Sequence, residues 1–93
     1  MARKKAEIPD EQFVLVVPGG EVQGRQQARD WLVNEREASL AHAQQAGADV
    51  LGCLARALTC NRALSRLDDR DRLDFTRMKP ATAADVLEVF RQA

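Results

Sequence analysis

Five consecutive apolar residues, Phe13-Val14-Leu15-Val16-Val17, stand between a charge-rich opening and Pro18-Gly19-Gly20. A short apolar run rich in β-branched residues and closed by turn formers predicts a buried strand followed by a turn. A single strand needs a neighbour. Glu21-Val22-Gln23 offers the second arm of a hairpin. Leu73-Asp74-Phe75-Thr76-Arg77-Met78 offers another, because Leu73 and Phe75 alternate with polar residues. A second molecule is the third source.

From residue 25 to residue 67 there is no proline, and Gly47 and Gly52 are the only glycines. The stretch is rich in Ala, Leu, Arg and Gln, which lose little rotamer freedom in a helix. A first helix is predicted from about Arg25 to Ala46, with Trp31 and Leu32 early, Leu40 and Ala43 later, and a middle, Asn34 to Glu37, that is polar on every face. Gly47 suits the position after a helix end, where a left-handed conformation costs glycine nothing. Asp49 suits the N-cap of a second helix. Val50, Leu51, Leu54, Ala57, Leu58, Leu64 and Leu67 give that helix an apolar stripe at helical spacing. The pair reads as an antiparallel hairpin. One continuous helix is the alternative; it would hold Gly47 inside at a cost of about 1 kcal/mol relative to Ala.

Asp68 to Arg72 carries no apolar residue and reads as a solvated connection or a frayed helix end. Pro80 stops any preceding helix. Thr82 then caps a third helix, with Asp85 placed to reach back as a capping-box acid. Val86, Leu87, Val89 and Phe90 are its apolar face. The fold class expected is mainly α: a helical hairpin plus a C-terminal helix, with a short N-terminal β-strand and room for a small two-stranded sheet. Residues 1–11 are expected to form a flexible arm, and residues 12–93 a single small helical domain.

Size and composition narrow the function. Ninety-three residues make one domain, which buries roughly 60–65% of its unfolded surface and has a thin margin of stability. Fifteen residues are Ala and only four are aromatic (Trp31, Phe13, Phe75, Phe90), so the core is light. Small domains with light cores often complete them by oligomerising or binding a partner. The net charge is zero, without the basic excess that supplies most nonspecific nucleic-acid affinity. Arg outnumbers Lys 11 to 3; with the Ala content this looks like coding bias of a high-GC bacterial or phage genome. No apolar run approaches the roughly 20 residues of a membrane span, and no apolar segment follows the basic residues 3–5 as a secretory signal would require. Cys53 and Cys60 would lie about 10 Å apart on one helix, beyond disulfide reach. Free thiols suggest a reducing compartment, so a cytoplasmic protein is expected.

Three chemical motifs are tempting. Strand, Gly19-Gly20-Glu21-Val22-Gln23-Gly24, then helix is the order of a phosphate-binding loop. However, Arg25 and Gln26 stand where the Lys and the magnesium-binding hydroxyl are required. A weak anion site at the helix start is the remainder of that idea. His42, Cys53 and Cys60 are too few and too widely spaced for a structural zinc site, and no base–nucleophile pair is evident. Asp68, Asp69, Asp71 and Asp74 lack the Gly and terminal Glu of an EF-hand loop, and Arg70 and Arg72 neutralise them in place. No catalytic residue, metal or cofactor is expected.

Contact residues are better motivated. Asn61 falls beside the leucine stripe, where a polar group can fix register or oligomer state. Arg62 and Arg66, four apart, flank the same stripe, and Arg is favoured at interfaces. Trp31 is an anchor or the main core aromatic. The candidates for protein interaction are therefore Trp31, Leu54, Leu58, Asn61, Arg62 and Arg66. Ala43 and Gly47, four apart between two helices, resemble the Ala-x-x-x-Gly core of helix-turn-helix DNA-binding domains. That resemblance implies Arg56 and Arg62 as DNA contacts in a small dimeric transcriptional regulator. The expectation that the whole pattern favours is different: a non-enzymatic protein-interaction module, a small bacterial or phage accessory protein, adaptor or inhibitor. It would bind and occlude another protein, itself a homodimer in one variant, with no nucleic acid and no membrane involved.

Overall fold

A computed structural model describes residues 8–92 of the chain. The first two strands are β1 (Val14–Val17) and β2 (Gly20–Gln23), and the next two elements are helices α1 (Arg25–Ala43) and α2 (Val50–Leu64). A third strand, β3 (Arg72–Asp74), precedes the last helix, α3 (Ala83–Gln92). The fold is predominantly helical, with a small mixed sheet in the order β2-β1-β3.

Both intramolecular partners foreseen for the first strand pair with it, so the sheet has three strands rather than two. Pro18 and Gly19 turn the chain, with Gly19 at φ 89°, the positive angle a Pro-Gly turn demands of its second central residue. Antiparallel pairing then sets Leu15 opposite Val22 and Val17 opposite Gly20. On its other edge β1 pairs in parallel with β3, Leu15 opposite Leu73. Parallel strands need a long crossover, and the α1–α2 hairpin supplies it. Burial alternates along β1: Leu15 and Val17 are buried, whereas Val14 and Val16 are half-buried. Five apolar residues in a row therefore still have an inner and an outer face.

The residues just before β1 also make contacts with the body. Of the arm foreseen over residues 1–11, residues 1–7 lie outside the described part. The rest is tied down: Asp10–Gln12 form a 3-10 turn, Ile8 packs against the core, and the Ile8 N–H donates to Asp71 Oδ1 at 3.3 Å. The connection from Asp68 to Arg72 is mostly exposed, as expected, with Asp71 accepting from the arm at its surface. Its neighbours are ordered as well, with Leu67–Asp69 forming a second 3-10 turn that buries Leu67.

α1 stops at Ala43, three residues before the predicted end, and Gly47, at φ 79°, sits in the connection to α2. Asp49 caps α2 as foreseen, its carboxylate accepting from the Gly52 N–H at 3.0 Å. The two helices are antiparallel along their length. Glu35 meets Arg56 and Arg36 meets Asn61, while Arg29 meets Asp68 near the far end. The polar middle of α1 is thereby explained, since Glu35 and Arg36 face polar partners on α2.

The buried stripe of α2 is not the leucine stripe. Ala55, Ala57, Thr59, Cys60 and Ala63 are buried, whereas Leu54, Leu58 and Leu64 are half-buried and Val50 and Leu51 are exposed. Helices approach closely where the facing side chains are small, and the Ala/Cys side of α2 joins Ala28 and Leu32 of α1 in the main core. That core also holds Phe13, Leu15, Val17, Leu67, Leu73 and Phe75. Leu54 and Leu58 turn instead toward a smaller cluster, Ala55, Ala81 and Val86, which anchors α3.

Candidate interaction surface

α3 is built by the capping box foreseen in the sequence. The Asp85 N–H donates to Thr82 Oγ1 at 3.1 Å, and the Thr82 N–H donates to Asp85 Oδ2 at 2.9 Å. The Thr82 N–H chiefly, with its hydroxyl and nearby Arg62, holds the Asp85 carboxyl below the usual carboxylate range. Just upstream, Thr59 Oγ1 donates to Ala55 O and accepts from the Ala81 N–H, both at 2.9 Å. This buried hydroxyl joins α2 to the start of α3.

Beyond that start, α3 is thinly covered. At about 100° per residue, Phe90 lies some 40° to one side of Val86 and Val89 some 60° to the other. Leu87 completes an apolar arc about 160° wide. Val86 at its centre is buried, but Leu87 is 54% exposed, Val89 51% and Phe90 60%. Val86, Val89 and Phe90 form one wall of a groove of roughly 180 Å³, with Leu54, Ala57, Leu58 and Asn61 of α2 and Leu40 and Arg36 of α1 completing it. Arg36 Nη1 donates to Asn61 Oδ1 at 2.8 Å across its polar edge.

The contact residues expected from sequence divide sharply. Leu54, Leu58 and Asn61 line this groove together. Asn61 is exposed at the edge rather than inserted into an apolar seam. Arg62 is drawn to Asp85, 3.6 Å away. Arg66 does not share a helical face with it, because α2 ends at Leu64; the Ser65 and Arg66 N–H groups close the end onto Asn61 O and Ala63 O. Trp31 lies elsewhere, half-buried against the main core with its ring edge-to-face on Phe75, 5.4 Å between centroids. The α3 residues Leu87, Val89 and Phe90 were given only as that helix's packing face. Their excess over what a ten-residue helix can bury was the available signal.

The other motifs resolve into structure. The glycine-rich segment is not a phosphate cradle, since Gly20–Gln23 is strand β2. Arg25 at the helix start is 5% exposed and is used internally. Its Nε donates to Leu67 O at 2.9 Å, its Nη2 to Arg70 O, and its Nη1 pairs with Asp10 at 2.9 Å. The guanidinium also lies 4.8 Å from the Phe13 ring centre. A cation in the first turn opposes the helix dipole, and that misfit was the sequence sign of a tertiary role. Arg56, expected with Arg62 as a DNA contact, pairs with Glu35 at 3.2 Å and covers the Phe75 ring at 4.9 Å. The hairpin contact along both helices also differs from the near-perpendicular corner of a helix-turn-helix.

Cys60 is buried and Cys53 half-buried, both as free thiols. Burial pushes the Cys60 thiol up from its ordinary value. Among the described residues, no three or more His, Cys, Asp or Glu side chains come together in a way that would hold a metal ion. Among them, too, no helix is long and apolar enough to cross a membrane. A second, wider cleft of roughly 690 Å³ runs between α2 and residues 75–83, lined by Leu51, Arg56, Phe75 and Met78 among others. No protein-family model, curated protein or solved structure matches the chain.

Proposed function

We propose that this protein is a non-enzymatic protein-interaction module that acts by covering part of another polypeptide. The carrying observation is the exposed face of α3, where Leu87, Val89 and Phe90 stand more than half in solvent beside the groove of Leu40, Leu54 and Leu58. Contiguous apolar surface rimmed by polar residues marks interaction sites on small soluble domains. Aromatic residues, Phe among them, are enriched at the cores of protein interfaces. The described polar clusters support the same reading, because they are spent on architecture: Arg25 on carbonyls, Thr59 on the α3 start, Arg56 on Glu35 and Phe75.

The test is affinity capture from the source organism with the wild type and with a Val89→Asp/Phe90→Asp variant as bait. Both side chains are exposed, so the variant keeps its fold, as circular dichroism would verify. The wild type is expected to retain a protein that the variant loses. Identical capture profiles would overturn the proposal.

A further inference from the structure

We infer that the cleft between α2 and residues 75–83 binds a small carboxylate on an apolar body, with Arg56 receiving the carboxylate. The cleft shares no lining residue with the α3 groove, so this site does not rest on the interaction reading. Its volume of roughly 690 Å³ falls within the range of about 300–1,000 Å³ typical of small-molecule sites. The walls are built in advance. The Thr59 hydroxyl accepts from the Ala81 N–H at 2.9 Å and pins the far wall to α2. Ala55 and Ala81 are too small to fill the space between, while Leu51, Phe75 and Met78 add apolar surface.

Charge sets the class of ligand. Among the described residues, Arg56 and Asp49 are the only charged ones lining the cleft, and they stand about two helical turns apart. Asp49 is occupied as the α2 cap, accepting from the Gly52 N–H at 3.0 Å. Arg56 has free donors. Its Nη2 donates to Glu35 at 3.2 Å, and Glu35 stands outside the lining. A guanidinium carries several further N–H groups, and among the described residues Nε and Nη1 of Arg56 meet no hydrogen-bond acceptor. The side chain is 41% exposed, so solvent and ligand reach it. Glu35 and the Phe75 ring, 4.9 Å away, already hold the group in place, so little freedom is lost when a second acceptor arrives. A carboxylate matches that planar fork, and Asp49 repels it from the opposite end. One cation already shared with Glu35 suits a single negative charge rather than a doubly charged phosphate.

Titration of the full chain with octanoate, followed by two-dimensional amide NMR, tests this. Saturable shifts are expected at Ala55, Thr59 and Ala81, with a dissociation constant on the order of 1 mM for a ligand of this size. Acetate, which lacks the apolar body, should give no saturable shift. Octylammonium and Arg56→Gln each remove the charged pair and should each weaken binding by about tenfold. Leu51→Asp, at an exposed wall position, should weaken octanoate by about twofold to fivefold. Glu35→Gln separates binding from architecture. It frees Arg56 of its competing carboxylate and should tighten octanoate by about twofold to fivefold, whereas an Arg56 with only a structural role would gain nothing. No saturable shift, shifts confined to Leu58 and Val89 in the α3 groove, equal affinity for octylammonium, tighter binding of octyl phosphate, or no gain in Glu35→Gln would overturn the site. The interaction reading stands or falls separately, on the capture experiment.

Discussion

The Arg25 Nε donates to the backbone carbonyl of Leu67 at 2.9 Å, joining the first turn of α1 to the chain just past α2. The same guanidinium reaches Arg70 O and Asp10. One planar fork thus holds the N-terminal turn, the far end of the hairpin and the approach to β3. A lysine carries its three donors on one nitrogen and lacks the planar fork that spreads these bonds over Nε, Nη1 and Nη2. Arg25→Lys is expected to cost about 2–3 kcal/mol in urea denaturation. Asp10→Asn should cost about 1 kcal/mol or less, because that carboxylate is largely in water. Equal losses for the two variants would show that the carbonyl bonds carry little.

Thr59 joins α2 to α3 through one hydroxyl. Thr59→Val keeps the shape but leaves the Ala81 N–H without its acceptor, at a cost of about 1–3 kcal/mol. Amide exchange should quicken across α3 before it does in α1, whereas Thr59→Ser should restore protection. Uniform quickening would place the effect in the core instead.

Acid should weaken the α3 cap. The Asp85 carboxyl, held mainly by the Thr82 N–H, titrates below the ordinary 3.8 in the folded chain. A folded value below the unfolded one gives stability that is complete above the unfolded value. That stability is lost as pH falls through the folded one. Asp74, held first by the Thr76 hydroxyl, has the same sign. Wild-type stability is therefore expected to fall more steeply than that of Asp85→Asn between about pH 4 and about pH 2. Parallel curves from denaturant titrations would remove Asp85 as a source.

Gly52 and Asp49 are coupled. A Cβ on Gly52 would come 2.4 Å from Asp49 Oδ2, so Gly52→Ala displaces the cap while gaining helix propensity. Each effect is about 1 kcal/mol and they oppose, so this variant alone should be nearly neutral. Asp49→Ala alone should cost about 1 kcal/mol. Adding Gly52→Ala to it should then recover about 1 kcal/mol. Simple additivity in the double-mutant cycle would refute the coupling.

Several features were legible from the chain alone. Thr82 with Asp85, Asp49 at the α2 N-cap, and the Pro18-Gly19 turn all appear where the sequence predicts them. So does the strand at Phe13 to Val17, one residue shorter. Each depends on neighbours three or four positions away, whose geometry the backbone itself dictates. Of the proposed surface, Leu54, Leu58 and Asn61 could be singled out because they share one side of α2.

Other outcomes joined residues far apart and followed only from packing. The sequence offered residues 73–78 as one of three partners for β1, but the parallel direction was decided by the hairpin, which carried residues 72–74 back to the free edge. Small side chains of α2 were buried more fully than its leucines, because close approach of packed elements rewards Ala and Cys over bulk. Arg25 was buried because three oxygens from separate parts of the chain converged on it. Phe90 was left largely in solvent because it forms the wall of an open groove that no other described element covers. Sequence periodicity tells which side of a helix is apolar; only the placement of the other helices decides how much of that side is covered.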